Sequence, residues 1–218
     1  MTDNPSIANA QKFINDNDFR RAIFELTDRL KQFPNDIEAT LLRAESYLNM
    51  GLYKDAISDY DKAFSNPDTI ATLGMLYYYC IALYKSGQYE KAINQLESVL
   101  ACEENFTEAN KTMGELMMLT NEFERAIFYL SKVVESTPSD VNSIYMRAQC
   151  YYKVQEFTEA IEDYQNTISL YDHPDVRLSF GICLFNSGRK EEGVLQLEIA
   201  KKGGNAEADK YLEMVKSM

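Results

Sequence analysis

Chemistry in this chain would have to start from four cysteines, Cys80, Cys102, Cys150 and Cys183, from a single histidine, His173, and from 15 tyrosines. Zinc and redox sites need thiols paired with each other or with imidazoles at short spacing. Here the cysteines are far apart, no Cys-x-x-Cys pair occurs, and His173 stands alone before Pro174. The expectation is that the thiols are free and mostly buried, packing as small apolar groups, and that the histidine lies in a loop. The sequence spells out no nucleophile–base pair, phosphate-binding glycine loop or metal-ligand cluster. Neither catalysis nor a cofactor or metal is therefore expected. What the residue types do offer is recognition, through tyrosines and through two arginine–aspartate sets, Arg43 with Asp59 and Arg147 with Asp163.

Composition narrows the partner. With 45% hydrophobic and 26% charged residues the chain has the make-up of a folded soluble protein, and no apolar run nears the roughly 20 residues that span a bilayer. A net charge of -12 works against binding phosphate backbones or anionic lipid, both of which need a cationic face. Met1-Thr2-Asp3-Asn4-Pro5 has neither the basic start nor the apolar run of a secretory signal. A cytoplasmic or nuclear protein that binds protein, without nucleic acid or membrane insertion, is the expectation.

The elements that must position these side chains follow a fixed period. An aromatic, two mostly charged residues, an alanine and an aliphatic recur as Phe19-Arg20-Arg21-Ala22-Ile23, Tyr53-Lys54-Asp55-Ala56-Ile57, Tyr89-Glu90-Lys91-Ala92-Ile93, Phe123-Glu124-Arg125-Ala126-Ile127 and Phe157-Thr158-Glu159-Ala160-Ile161. Lys190-Glu191-Glu192-Gly193-Val194 is a decayed sixth copy. The small residue advances by 34, 36, 34, 34 and 33 residues, the mark of stacked repeats. Apolar residues at helical spacing place one helix before each cassette and a second helix starting on it. The turn between them falls on Asn17, Gly51, Gly87, Asn121, Gln155 and Gly188, and five of these six residues tolerate positive φ. Pro34, Pro67 and Pro138 stop second helices. Asp36, Asp140 and either Asn105 or Thr107 are placed to cap the helices that follow.

This pattern resembles the tetratricopeptide repeat. Repeat four supplies Gly114, Met117, Phe123, Ala126, Leu130, Val133 and Pro138 at the family's small, large and proline places; repeat five supplies Ile144, Ala148, Tyr151, Phe157, Ala160 and Tyr164. Departures are Arg29 and Cys80 where small residues are usual, and Gly193 and Lys190 in repeat six. The resemblance implies an all-α fold, a right-handed α-solenoid of antiparallel helix pairs forming one array. The repeats run over about 3–36, 37–70, 73–106, 107–140, 141–173 and 174–207, and a capping helix over about 205–218.

In that family the first helices line a concave groove, so the resemblance places a partner there. It also brings to mind the carboxylate clamp of co-chaperones, which repeats two and five approach through Arg43-Ala44 with Asp59-Tyr60 and Arg147-Ala148 with Asp163-Tyr164. Leu42 and Met146 replace the clamp's asparagine, and Gly74 and Tyr78 replace its basic partners. No clamp for chaperone C-terminal tails is expected, because an anionic terminus needs donors. The arginine–aspartate sets instead read as partly exposed ties across a hairpin. The groove places carry Leu41, Leu48, Tyr77, Tyr84, Met118, Tyr145, Tyr152, Leu178 and Phe185, with Glu45, Lys111 and Gln149 on a polar rim. These tyrosines either fill the repeat or present contact area with a hydroxyl to a partner segment. The expected function is a non-catalytic scaffold or adaptor, co-chaperone-like without a clamp. The alternative is a structural subunit assembling through its repeat surfaces.

Overall fold

The computed structural model describes residues 5–216. Among them thirteen α-helices occur and no strand: α1 (Pro5–Asn15), α2 (Phe19–Gln32), α3 (Ile37–Asn49), α4 (Tyr53–Phe64), α5 (Leu73–Lys85), α6 (Tyr89–Cys102), α7 (Thr107–Leu119), α8 (Phe123–Ser136), α9 (Val141–Lys153), α10 (Phe157–Leu170), α11 (Pro174–Asn186), α12 (Lys190–Lys202) and α13 (Ala206–Lys216). Six hairpins and a closing helix match the six repeats and the cap. The first residues expected in repeat one and the last two of the capping helix lie outside the described residues. The helices fall into two compact units, Met1–Glu104 with repeats one to three and Asn105–Met218 with repeats four to six and α13.

Each hairpin turns the same way for one chemical reason. Asn17, Gly51, Gly87, Asn121, Gln155 and Gly188 all take positive φ, and the residue after each donates its N–H five residues back, as Leu52 does to the Tyr47 carbonyl at 2.9 Å. This closes the last carbonyls of the first helix. Gln155, at φ 65°, shows that the position and not the glycine sets the turn: Glu156 N–H still reaches the Tyr151 carbonyl at 2.9 Å.

Small residues then let the paired helices approach. Ala22, Ala56, Ala92, Ala126 and Ala160 have no exposed surface, and Ala22 and Ala160 share core clusters with Ala10 and Ala148 of the preceding helix. Gly193 is no decay of that rule. A Cβ there would stand 2.8 Å from both the Gly181 carbonyl oxygen and the Phe185 nitrogen, so α11 and α12 meet backbone to backbone. Cys80, Cys150 and Cys183 are buried as expected, and Cys102 is exposed. Burial pushes the first two thiols up to about 12 and Cys183 to about 11.

Between hairpins the caps are largely those expected. Asp36 accepts from Ala39 N–H at 3.0 Å and Asp140 from Ser143 N–H at 3.1 Å. At α7 the expectation fails: Phe106, and neither Asn105 nor Thr107, stands at the N-cap, with no capping hydrogen bond from a side chain. Arg29, a departure from the family pattern, has its own use, since its Nε donates to Asp36 at 2.6 Å. The 36-residue step resolves into a loop. α4 has 12 residues where α2, α6, α8 and α10 have 14, and the chain then runs without helix over 65–72. Thr69 Oγ1 ties that loop to the Ala63 carbonyl at 2.5 Å.

Candidate functional site: two clefts on the first helices

In the first unit, α1, α3, α4, α5 and the 65–72 loop line a cleft of about 630 Å³. Its apolar wall is Ile37, Leu41 and Leu42 from α3, Ile70 from the loop, and Met75 and Tyr78 from α5. The phenol of Tyr60 lies at its floor, almost fully buried. Burial, followed by the nearby Glu45 carboxylate, raises the Tyr60 pKa, so the hydroxyl stays protonated. Glu45 is half-buried, and desolvation raises its own carboxyl above the usual range. Behind the floor, the rings of Tyr60, Phe64 and Tyr79 stand 5.7–5.8 Å apart, and Tyr79 donates to Asp61 at 2.5 Å.

In the second unit a smaller cleft, about 260 Å³, is lined by Met118, Phe123, Gln149, Tyr152, Lys153, Tyr164, Ser179 and Ile182. Two of its hydroxyls are already engaged: Ser179 bonds Tyr145 at 2.9 Å, and Tyr152 accepts from Asn186 Nδ2 at 2.6 Å. Tyr164 again forms a buried floor, its pKa raised by burial.

Of the residues expected to line a groove, Leu41 and Glu45 come together in the first cleft, and Met118, Gln149 and Tyr152 in the second. The others are placed differently. Lys111 donates to Asp140 at 2.7 Å and belongs to the repeat-five cap, and Leu178 is buried against Leu197, Ala200, Ala208 and Leu212. Tyr145 packs on the Tyr164 ring at 6.0 Å, and Phe185 lies beneath Lys190. Leu48, Tyr77 and Tyr84 lie outside the first cleft; Lys85 covers the Tyr84 ring, and Tyr77 stands beside Tyr78. Sequence reasoning missed Ile37, Met75 and the loop wall. Leu42, Gly74 and Tyr78, identified there as clamp positions without donors, are now part of the first cleft's lining.

The arginine–aspartate sets are stronger than partly exposed ties. Arg43 donates from Nε and Nη2 to both oxygens of Asp59 at 2.7 and 2.8 Å, and from Nη1 to Thr27 of the preceding hairpin at 3.2 Å. Arg147 does the same to Asp163, at 2.7 and 2.8 Å, and to Ser131 at 3.1 Å. Asp59 and Asp163 are 5% and 3% exposed, so each set is a buried, bidentate bracket across three helices. Both arginines are spent on this and offer no clamp donor.

The tetratricopeptide-repeat family profiles match residues 7–68 and 83–150. The chain is a tetratricopeptide-repeat protein. A further family, described as anaphase-promoting complex, cyclosome, subunit 3, matches residues 120–199. DnaJ homolog subfamily C member 3 of Bos taurus is 25% identical over 187 residues, 79% of this chain and 37% of the relative. The chain thus spans little more than a third of that relative's length. The solved C-terminal part of a TPR repeat-containing protein from Cytophaga hutchinsonii superposes with a TM-score of 0.80 at 20% identity, over 97% of this chain and 88% of that one. YrrB, described as a TPR protein with an unusual peptide-binding site, superposes with a TM-score of 0.68 at 21% identity, over 77% and 85%. These likenesses place the helices in the tetratricopeptide α-solenoid class. Among the described residues, no helix of this tetratricopeptide-repeat protein is long and apolar enough to cross a membrane.

Proposed function

We propose that this tetratricopeptide-repeat chain is a non-catalytic protein-interaction scaffold whose first-unit cleft takes an apolar peptide segment. The observation that carries this is the cleft itself. Its volume of about 630 Å³ falls within the range of roughly 300–1,000 Å³ that small-ligand pockets occupy, and its walls are aliphatic and aromatic. YrrB's described peptide-binding site supports the same use of the fold, and the likeness to a DnaJ homolog supports a co-chaperone-like form of it. Leucine, glycine and tyrosine at the clamp positions favour a side-chain anchor over an anionic terminus.

The test is selection of a random-peptide display library on the full chain. Selected peptides are expected to carry large apolar anchors and to bind Met75→Ala/Tyr78→Ala about tenfold more weakly, as loss of central apolar contacts requires. Binders indifferent to that variant, with its melting temperature held, reject the cleft.

A second reading, a structural subunit, draws on Phe24 and Phe128. They stand at the same place on α2 and α8 and are 71% and 55% exposed. A stable dimer in light scattering, dissolved by Phe24→Ser/Phe128→Ser, would favour it.

A further inference from the structure

We infer that the first-unit cleft selects segments in which an apolar anchor stands beside lysine or arginine, an inference that rests on the peptide-segment reading above. Three carboxylates, Glu38, Glu45 and Asp68, share the lining with the apolar wall, and no lysine or arginine does. None of the three makes an ion pair among the described residues. Arg43 on α3 and Arg29 on α2 are paired elsewhere, with Asp59 and Asp36. The cleft therefore holds uncompensated negative charge next to apolar surface. A segment of matching chemistry neutralises the one while it covers the other.

The charge is not a by-product of the repeat. Glu45 occupies the same place in repeat two as Gln149 in repeat five, both following the Arg-Ala pair, and both line a cleft over a buried tyrosine. The two side chains have nearly the same shape, so the packing of the repeat accepts either. What differs is that the second cleft carries Lys153 and no carboxylate. Glu45 is half-buried, so a cation brought to it is screened less than one on open surface. The Tyr78 hydroxyl has no hydrogen-bond partner among the described residues, leaving it free for the segment's backbone.

The same display library tests this on the full chain. Selected peptides are expected to carry lysine or arginine next to the anchor, and a selected peptide to bind about tenfold more tightly than its lysine-to-serine copy. Glu45→Gln should weaken the basic peptide about threefold to fivefold and Glu38→Gln/Glu45→Gln about tenfold, with the serine copy unchanged and the difference closing at high salt, as for a partly screened pair. Serine copies that bind equally well, or a basic peptide indifferent to Glu38→Gln/Glu45→Gln, overturn the inference. If Met75→Ala/Tyr78→Ala still weakens both peptides in that case, the cleft reading survives alone. A library without binders, or binders indifferent to both variants, removes the cleft reading and this inference together.

Discussion

Arg43 in the first unit and Arg147 in the second stand at the same repeat position and are held almost identically, each bidentate to a buried aspartate and reaching a hydroxyl on the preceding hairpin. In their clefts the two units part company. Over equivalent tyrosines, Tyr60 and Tyr164, one cleft is wide, acidic and walled by a loop, while the other is small, carries a lysine and has its Tyr152 hydroxyl hydrogen-bonded. The repeat thus repeats its framework and leaves the cleft lining free. Arg43, Asp59 and Tyr60, which pack within the repeat, return as Arg147, Asp163 and Tyr164. The residues lining the clefts differ in charge and size, as Glu45 and Gln149 do in charge.

The largest effect that can break this comparison concerns the shared framework. Asp59→Ala and Asp163→Ala each strand a guanidinium whose side chain is 17% exposed. Each is expected to cost about 3 kcal/mol, at the low end for a buried pair broken from one side, and the two costs should agree. Urea unfolding of each variant measures them. Costs under about 1 kcal/mol would put the pairs in the surface class and remove the bracket from the framework.

That bracket also shows where the sequence was legible. The period, the turn positions and the small residues could be read because each is a backbone or packing requirement that recurs six times, and even Gln155 fell into its turn on spacing alone. Arg43 with Asp59 could be paired by repeat position, but not its burial. Burial comes with the contacts made beyond the pair, Thr27 on the preceding hairpin and the Tyr47 ring, which Ser131 and Tyr151 repeat around Arg147; pairing by position within one hairpin does not show them. The cleft was half legible. Leu41 and Glu45 were found on the face of a helix. Ile70 was not, because the 65–72 loop has no pattern from which to place a side chain. Lys111 was misplaced because the groove positions say nothing about which of them an interhelical partner such as Asp140 will claim.

A smaller, pH-linked difference separates the units. The second buries two thiols with raised pKa, Cys150 at about 12 and Cys183 at about 11; the first buries one, Cys80, at about 12. In the unfolded chain a thiol loses its proton near pH 8.5. Above that pH the unfolded state holds fewer protons than the folded one, so stability falls as pH rises. The contribution is complete below about pH 8.5 and is lost towards 11–12, with the buried phenols Tyr60 and Tyr164 and the half-buried Tyr79 adding to the loss from about pH 10. Hydrogen exchange followed peptide by peptide, corrected for intrinsic rates, should show the second unit losing protection faster than the first between about pH 8.5 and 10. Equal losses would mean that the thiols do not set the difference.

The smallest expected effect asks whether one residue type makes a cleft acidic. Gln149→Glu puts a carboxylate four residues before Lys153 on α9, the favoured order for a helical ion pair, and should stabilise the fold by about 0.2–0.5 kcal/mol. It should not give the second cleft a preference for basic peptides, since Lys153 lines the same cleft and neutralises the new charge. Adding Lys153→Gln removes that compensation. Binding of a basic peptide there should still stay weaker than in the first unit, because the space is about 260 Å³ against about 630 Å³ and the Tyr152 hydroxyl is held by Asn186. Anisotropy titration of the basic peptide against the double variant, in a Met75→Ala/Tyr78→Ala background that silences the first cleft, reads this directly. Affinity equal to that of the first unit would show that charge alone, without the loop wall and the free tyrosine, defines the acidic cleft.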